Sequence, residues 1–573
     1  MGERGTDFTV HETDVLVVGG GLAALRAALS ARQAGARVLV AVKRKLGRSG
    51  SSAITSGGYA AASPELDPQD DCELHYQDTI VGGGWVNERP LVRALADEAP
   101  TRLRELWEMG AQFMKSNGQY YLSPSGDHRR PRVLVPEHMR GTDMTLPLRA
   151  AVIEAGVDVL EETLIVELLR DDARVVGALG LTRNQVSGCI IRAGATILAA
   201  GGASRMFPVT SNPIDVRGGG YALAVRAGAP LRDMEFIQFY PWRLIRPFEN
   251  SRVPIQPSTF ISGGKLYNRE GERFMEAYDP VKKEASTRDV SARGIFDQIR
   301  RGLTVDGGVV LDISDVPDEQ FRLENTKVVK PLDAKGIDYR QIPLILAPEA
   351  HFFMGGVVID ENGRTELEGL FACGENAGGA HGGNRLNANA VPETQVFGHR
   401  AGLAATGRSL SRRPIDEEVL ELWQRRLRKV RNEGRSRSSE IDRLADRQRR
   451  VIHLGIGIVR NAGSLEEAIG ELDSIRQWIT THPQLSYGDL IASVELDDMC
   501  EVGDACAKSA LLRKESRASH YREDFPEIDP RWAQTVVYRN GKATTQPLQV
   551  GAEEKHWSLP SEPLPARPGE HLE

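Results

Sequence analysis

The residues best placed to do chemistry at the start of this chain are glycines. Gly19-x-Gly21-x-x-Ala24 follows the apolar run Thr13 to Val18, which is rich in β-branched residues. Residues Ala23 to Ala34 then read as a helix, and Arg37 to Val42 as a second buried strand. Strand, glycine turn, helix and strand in this order form the unit that binds a dinucleotide. The first glycine permits the tight turn, the second lets bare backbone approach a pyrophosphate, and Ala24 lets helix and strand pack closely. The helix start then offers free N–H groups and a partial positive charge to the phosphates.

Two further segments narrow the cofactor. Thr196 to Gly202 (TILAAGG) and Gly369 to Glu375 (GLFACGE) each read as a short buried strand ending in glycine. The second ends in an acid as well. In two-part FAD folds a late strand brings a carboxylate to the ribitol hydroxyls, which makes Glu375 the candidate for that bond. The acid that would hold an NAD ribose is missing, because Val42-Lys43-Arg44 stands at the end of the second strand. A flavin tolerates that change, since other segments hold its adenosine.

Composition agrees with a large soluble globular protein and excludes several classes. The chain has 573 residues, 40% of them hydrophobic and 26% charged, with a formal net charge of −7. That balance gives no general attraction to nucleic acid. The 58 glycines exceed the usual share of about 7% without forming a low-complexity tract. The five cysteines (Cys72, Cys189, Cys373, Cys500 and Cys506) contain no C-x-x-C pair, which argues against a zinc ribbon or an iron–sulfur cluster and for a reducing compartment. No apolar run is long enough to span a membrane, and the polar N-terminus lacks a secretory core, so a cytoplasmic protein is expected.

Longer motifs carry a family resemblance over most of the chain. Gly50 to Gly58 (GSSAITSGG) is similar to the flavin loop of the succinate dehydrogenase and fumarate reductase flavoprotein family, which includes L-aspartate oxidase. Ala227 to Pro241, Leu266 to Met275 and Ser286 to Arg293 resemble the segments that lead into and build its capping domain. His351 to Gly356 (HFFMGG) resembles its substrate-histidine segment. Gly369 to Gly402, with HGGNRLNANAV and VFGHRAG, is the nearest stretch, and Arg513 to Pro526 resembles the end of its helical domain.

The resemblance implies an α/β fold: a two-part Rossmann-like FAD-binding domain, an inserted α+β capping domain and a C-terminal helical domain. The expected divisions are 1–234 and 355–415 for the two FAD-binding parts, 235–354 for the cap, 416–529 for the helical domain and 530–573 for an extension without usable motifs. The cofactor-binding set it implies is Gly19, Gly21, Ala24, Lys43, Ser49, Gly50, Ser51, Ser52, Gly57, Gly58, Ala200, Gly201, Gly374, Glu375, Asn389, Ala390 and Val391. No resident metal is expected. Arg288 falls at the family's proton-shuttling arginine, and His351 and Arg385 fall at carboxylate-binding positions. Taken alone, Arg288 reads as a helix-surface partner of Asp289 or Glu284, and His351 as a core histidine. Arg385, inside a run of glycine and asparagine, has no apolar surface to cover.

The departures from the family pattern are equally informative. Ser51 occupies the place of the histidine that bonds covalently to FAD in the respiratory enzymes, so noncovalent FAD is expected. Losing that bond tilts the chemistry towards alkene reduction or easier substrates. Tyr240 replaces a carboxylate-binding histidine in Gln238-Phe239-Tyr240-Pro241, and Pro257 and Phe260 replace the glutamate and arginine that feed protons to the shuttle. Either the site is degenerate, or it is rebuilt for a substrate with one carboxylate and an apolar remainder packed by Phe260, Tyr240 and Trp242. The second reading is favoured, with Tyr240 taking part in proton transfer, because buried charges left unused would be costly.

The expected activity is hydride transfer between flavin N5 and a CH–CH bond of a small carboxylate-bearing substrate other than plain succinate. The alternatives are an aspartate-oxidase-like amine oxidation and a flavoprotein relaying electrons to an iron–sulfur or other electron-transfer protein. The arginine-dense stretch from Trp423 to Arg450 lacks interleaved aromatics, so it reads as two solvated helices broken at Gly434 rather than a nucleic-acid surface.

Overall fold

A computed structural model describes residues 8–548 apart from 117, 172–173, 249–252, 409, 411–416 and 483–484. The expected division at 415/416 and the last part of the extension, 549–573, therefore lie outside the described residues. The central sheet has seven strands. Strand Phe8–Val18 lies between Val38–Ala41 and Gly188–Leu198, parallel to both, with Asp158–Leu160 beyond Val38–Ala41. Arg174–Thr182 and Thr163–Asp171 continue the other side antiparallel, and Leu370–Ala372 joins the end of Gly188–Leu198 in parallel. Val15 to Val18 are all buried, as a run covered on both faces must be.

Helix Leu22–Gln33 follows the glycine turn, and its alanines leave room for close packing. Helix Ala390–Ala404 lies against it backbone to backbone. A Cβ on Gly398 or Gly402 would stand 2.8 or 2.5 Å from the carbonyl oxygens of Ala23 and Ala27. The VFGHRAG stretch thus brings the distant second FAD-binding segment onto the first helix.

Between these segments sits a second sheet of five strands, ordered Val253–Pro254, Ile237–Arg246, Leu344–Phe353, Val309–Asp312 and Lys265–Tyr267. Its core, built on Tyr240, Trp242, Phe260, Phe321 and neighbours, is separate from the main one. Helices Glu417–Glu433, Ser438–Gly455, Ala462–Thr481 and Tyr487–Leu512 form the helical part. In the arginine-dense stretch, Trp423, Leu427 and Val430 make a buried stripe against Phe8 and Ile441. In the described part of the stretch without motifs, Gln534–Arg539 and Lys542–Pro547 form a hairpin that extends a sheet with Leu231–Arg232 and Gly356–Val357.

Candidate active site

One cavity of about 550 Å³ runs from the glycine turn to the capping sheet. Its size and largely apolar lining are those of a cofactor site. At one end stand Gly19, Gly20, Gly21 and the start of helix Leu22–Gln33. Gly19 has φ +136, and a Cβ there would lie 2.1 Å from the carbonyl oxygen of Ala199. Only glycine lets the two strand ends meet so closely. No side chain at the N-cap Gly21 closes the helix, although Ser52 from the flavin loop accepts the Leu22 N–H at 3.1 Å.

Of the residues expected to hold FAD, Gly19, Gly21, Lys43, Ser49, Gly50, Ser51, Ser52, Gly57, Gly58, Ala200, Gly201, Glu375, Ala390 and Val391 line this cavity. Three do not. Ala24 is buried on helix Leu22–Gln33, a Cβ on Gly374 would meet Ala23 at 2.7 Å, and Asn389 bonds His75 Nε2 at 2.9 Å and Thr79 Oγ1 at 3.1 Å. They shape the cavity wall from behind. The cradle of bare backbone, the uncapped helix start and the carboxylate of Glu375 fit the parts of FAD that the sequence assigns to them. Glu375 is pushed up to about 7, chiefly by burial, while its bond from the Phe353 N–H at 3.0 Å works the other way. Lys43 finds a partner that sequence could not show. Its Nζ meets Glu495 of helix Tyr487–Leu512 at 2.9 Å, and Arg217 reaches the same carboxylate at 3.1 Å.

At the other end Tyr240, Arg288, His351 and Arg385 come together in the same cavity. Gln238 organises them. Its Oε1 accepts from Arg288 at 3.0 Å and from Arg385 at 2.9 Å, so the two donating nitrogens are less than 6 Å apart. Its Nε2 donates to Asn384 Oδ1 at 2.9 Å and to the Arg385 carbonyl at 2.7 Å, which fixes the amide's orientation. Arg288 also donates to Asn387 Oδ1 at 2.5 Å, and Arg385 to the Leu386 carbonyl at 3.1 Å. Burial, then the neighbouring Arg288, push Arg385 down to about 9. His351 is held well below its ordinary range by burial and both arginines, so its imidazole is neutral.

His351 owes its position to a β-bulge. Gln238 pairs with Phe352 and Phe239 with Ala350, which leaves His351 as the extra residue. Its carbonyl accepts from Asn212 Nδ2 at 2.8 Å, and Ser51 donates its hydroxyl to the same Asn212 side chain. The residue in place of the covalent histidine is thereby tied to the strand that carries His351. Gln238, Asn212 and Lys327, which also line or brace the cavity, escaped sequence reading. Gln238 stood within a quoted motif, two residues before Tyr240 on one strand, and that spacing was the available signal.

Two expectations need correction. The Tyr240 hydroxyl, expected in proton transfer, instead donates to the Ile255 carbonyl at 2.5 Å. Burial raises it above the ordinary phenol range, and its ring lies 5.0 Å from the Arg288 guanidinium. Trp242 and Phe260, expected to pack the substrate, lie ring against ring, tilted with centroids 4.4 Å apart, in the cap core and do not line the large cavity. A cap with its own core needs large apolar side chains, and they were drawn inward.

The family model described as "FAD binding domain" matches residues 14–391, and that described as "Fumarate reductase flavoprotein C-term" matches 446–562. This chain belongs to the fumarate reductase and succinate dehydrogenase flavoprotein family. It is 40% identical over 538 residues to a fumarate reductase (CoM/CoB) subunit of Methanothermobacter marburgensis, covering 92% of this chain and 97% of that one. It is 32% identical to the L-aspartate oxidase of a Nostoc species, covering 91% and 92%. A variant of the E. coli quinol fumarate reductase flavoprotein superposes with a TM-score of 0.86 at 26% identity, covering 98% and 99%. Like its family, the chain is an FAD-dependent oxidoreductase acting on CH–CH bonds. FAD supplies the hydride acceptor or donor when bound. Among the described residues no helix is long and apolar enough to cross a membrane.

Proposed function

We propose that this flavoprotein reduces the carbon–carbon double bond of a carboxylate-bearing alkene, with FAD held noncovalently. The observation that carries this reading is the pair of guanidinium groups on one amide oxygen. Two buried like charges this close invite an anion to join them, and a planar guanidinium meets a carboxylate with two parallel bonds. Arg385 and neutral His351 grip and orient the carboxylate. Arg288 delivers the proton to the carbon opposite the one that receives hydride. Serine at position 51 has no nitrogen to form the covalent flavin link, which favours reduction.

The cavity also admits Lys327, held below its ordinary range chiefly by burial and then by Arg140. That cation favours a second reading in which the far end of the substrate is anionic, as in fumarate itself. The apolar alternative rests on Tyr240 and Phe352, which line the same space. Dithionite-reduced enzyme mixed anaerobically with fumarate, crotonate and cinnamate distinguishes them through the return of the flavin absorbance. Reoxidation by at least one acid is expected, fumarate fastest if Lys327 binds and cinnamate fastest if the aromatic wall does. Failure with all three, together with peroxide release from L-aspartate, would replace the proposal by amine oxidation. Electrons are then supplied by a separate donor protein, for which co-purification of an iron–sulfur protein is the test.

A further inference from the structure

A second, much smaller space lies against Arg288. About 10 Å³ is open to a water centre there, lined by Ser125, Asp127, Trp242, Pro257, Ser286 and Arg288 among others. That is room for one water. Two buried N–H groups on its lining side chains find no partner among the described residues: Nε of Arg288 and Nε1 of Trp242, on residues 5% and 2% exposed. Orphaned donors of this kind are ordinarily satisfied by an ordered water. Ser286, also buried, donates its hydroxyl to Asp279 Oδ2 at 2.6 Å, and Asp279 is partly exposed. Asp127 is anchored by the Asn387 N–H at 2.6 Å and by the Ser125 hydroxyl. Pro257, whose side chain can carry no proton, borders the same space.

We propose that this space holds one ordered water, and that Asp279, Ser286 and this water form the route by which protons reach Arg288 from solvent. The route rests on the proposed role of Arg288 and supplies what Pro257 and Phe260 cannot. After Arg288 gives one proton to the substrate carbon, the water returns one to the guanidine nitrogen. Asp279 takes a proton from solvent and passes it to Ser286 Oγ as the Ser286 hydroxyl turns from Asp279 and gives its own proton to the water. One proton enters for each one used, and no electrons travel this way. Trp242 Nε1 and Asp127 fix the water without titrating in the cycle.

A crystal structure of the FAD-loaded enzyme at a resolution that shows waters tests the site directly. A water is expected within about 3.2 Å of Arg288 Nε and Trp242 Nε1, and a dry space overturns the proposal. For the route, Ser286→Ala and Asp279→Asn enzymes are run through many turnovers with excess dithionite and fumarate, or whichever panel acid the wild type uses fastest. Turnover should fall about 10- to 100-fold, reaching the lower end of what a lost proton transfer costs, with KM within twofold and a larger solvent deuterium isotope effect. Ser286→Thr should restore most of the rate. Arg288→Gln separates the two claims. If it abolishes turnover while Ser286→Ala and Asp279→Asn keep the wild-type rate and isotope effect, the route is wrong and Arg288 stands. If Arg288→Gln turns over normally, both fall.

Discussion

Gln238 has a single side-chain amide, and both of its ends are committed within 3.0 Å. Removing it leaves Arg288 and Arg385 to repel each other without their shared acceptor. Hydrogen bonds to charged groups contribute about 1.5–3 kcal/mol each, so Gln238→Ala should raise KM for the carboxylate about 10- to 100-fold while the bound flavin spectrum stays unchanged. Tyr240→Phe should cost less than about tenfold in turnover, because the lost hydroxyl served a backbone carbonyl; steady-state kinetics checks both. Glu375 gives a pH signature. Its carboxyl is raised from 4.5 to about 7, so the folded state binds its proton more tightly than the unfolded state does. In the FAD-free protein that contribution is fully present below about pH 4.5 and is lost as pH rises through about 7. Thermal melts of FAD-free Glu375→Gln should show a flatter decline between those pH values.

At the scale of elements, the site is made where strands end or break. Gly19 closes the strand end against Ala199, and Gly19→Ala would force a Cβ into a carbonyl oxygen. A loss of about 2–4 kcal/mol is expected, read as a lower Tm and weaker FAD retention. The glycine turn, its helix and the late strand just before Glu375 were all legible, because a strand followed by paired glycines has few other uses. The first strand runs from Phe8 rather than Thr13, since polar His11 and Glu12 still pair with Ile191 and Arg192. The bulge at His351 was not legible. Nothing local in Ala350-His351-Phe352 states that the partner strand supplies one residue fewer.

Across the whole molecule, charges from distant segments converge in the interior. Arg513 is fully buried and meets Glu235 at 2.6 Å and Glu515 at 3.0 Å, while donating to the carbonyls of Trp532 and Gln534. It therefore joins the start of the cap segment, the end of the helical part and the terminal hairpin. Breaking a buried pair by removing one partner costs about 3–5 kcal/mol. Arg513→Met should lower stability by that amount in denaturant unfolding, and the hairpin should exchange its amide hydrogens faster. Glu495 plays a similar part, bringing the longest helix to Lys43 beside the cofactor cavity.

The sequence by itself determined the cofactor class and the order of segments, because the glycine turn is a local spacing that backbone geometry must obey, and its family pattern pointed to Arg288, His351 and Arg385, which the fold brings into one cavity. Tertiary structure alone decided what those side chains do. It gave the Tyr240 hydroxyl to Ile255, drew Trp242 and Phe260 into the cap core, and set two arginines on one glutamine oxygen. Such outcomes depend on which partner arrives from far along the chain. Burial makes nearly every polar atom find one, and no local pattern names it in advance.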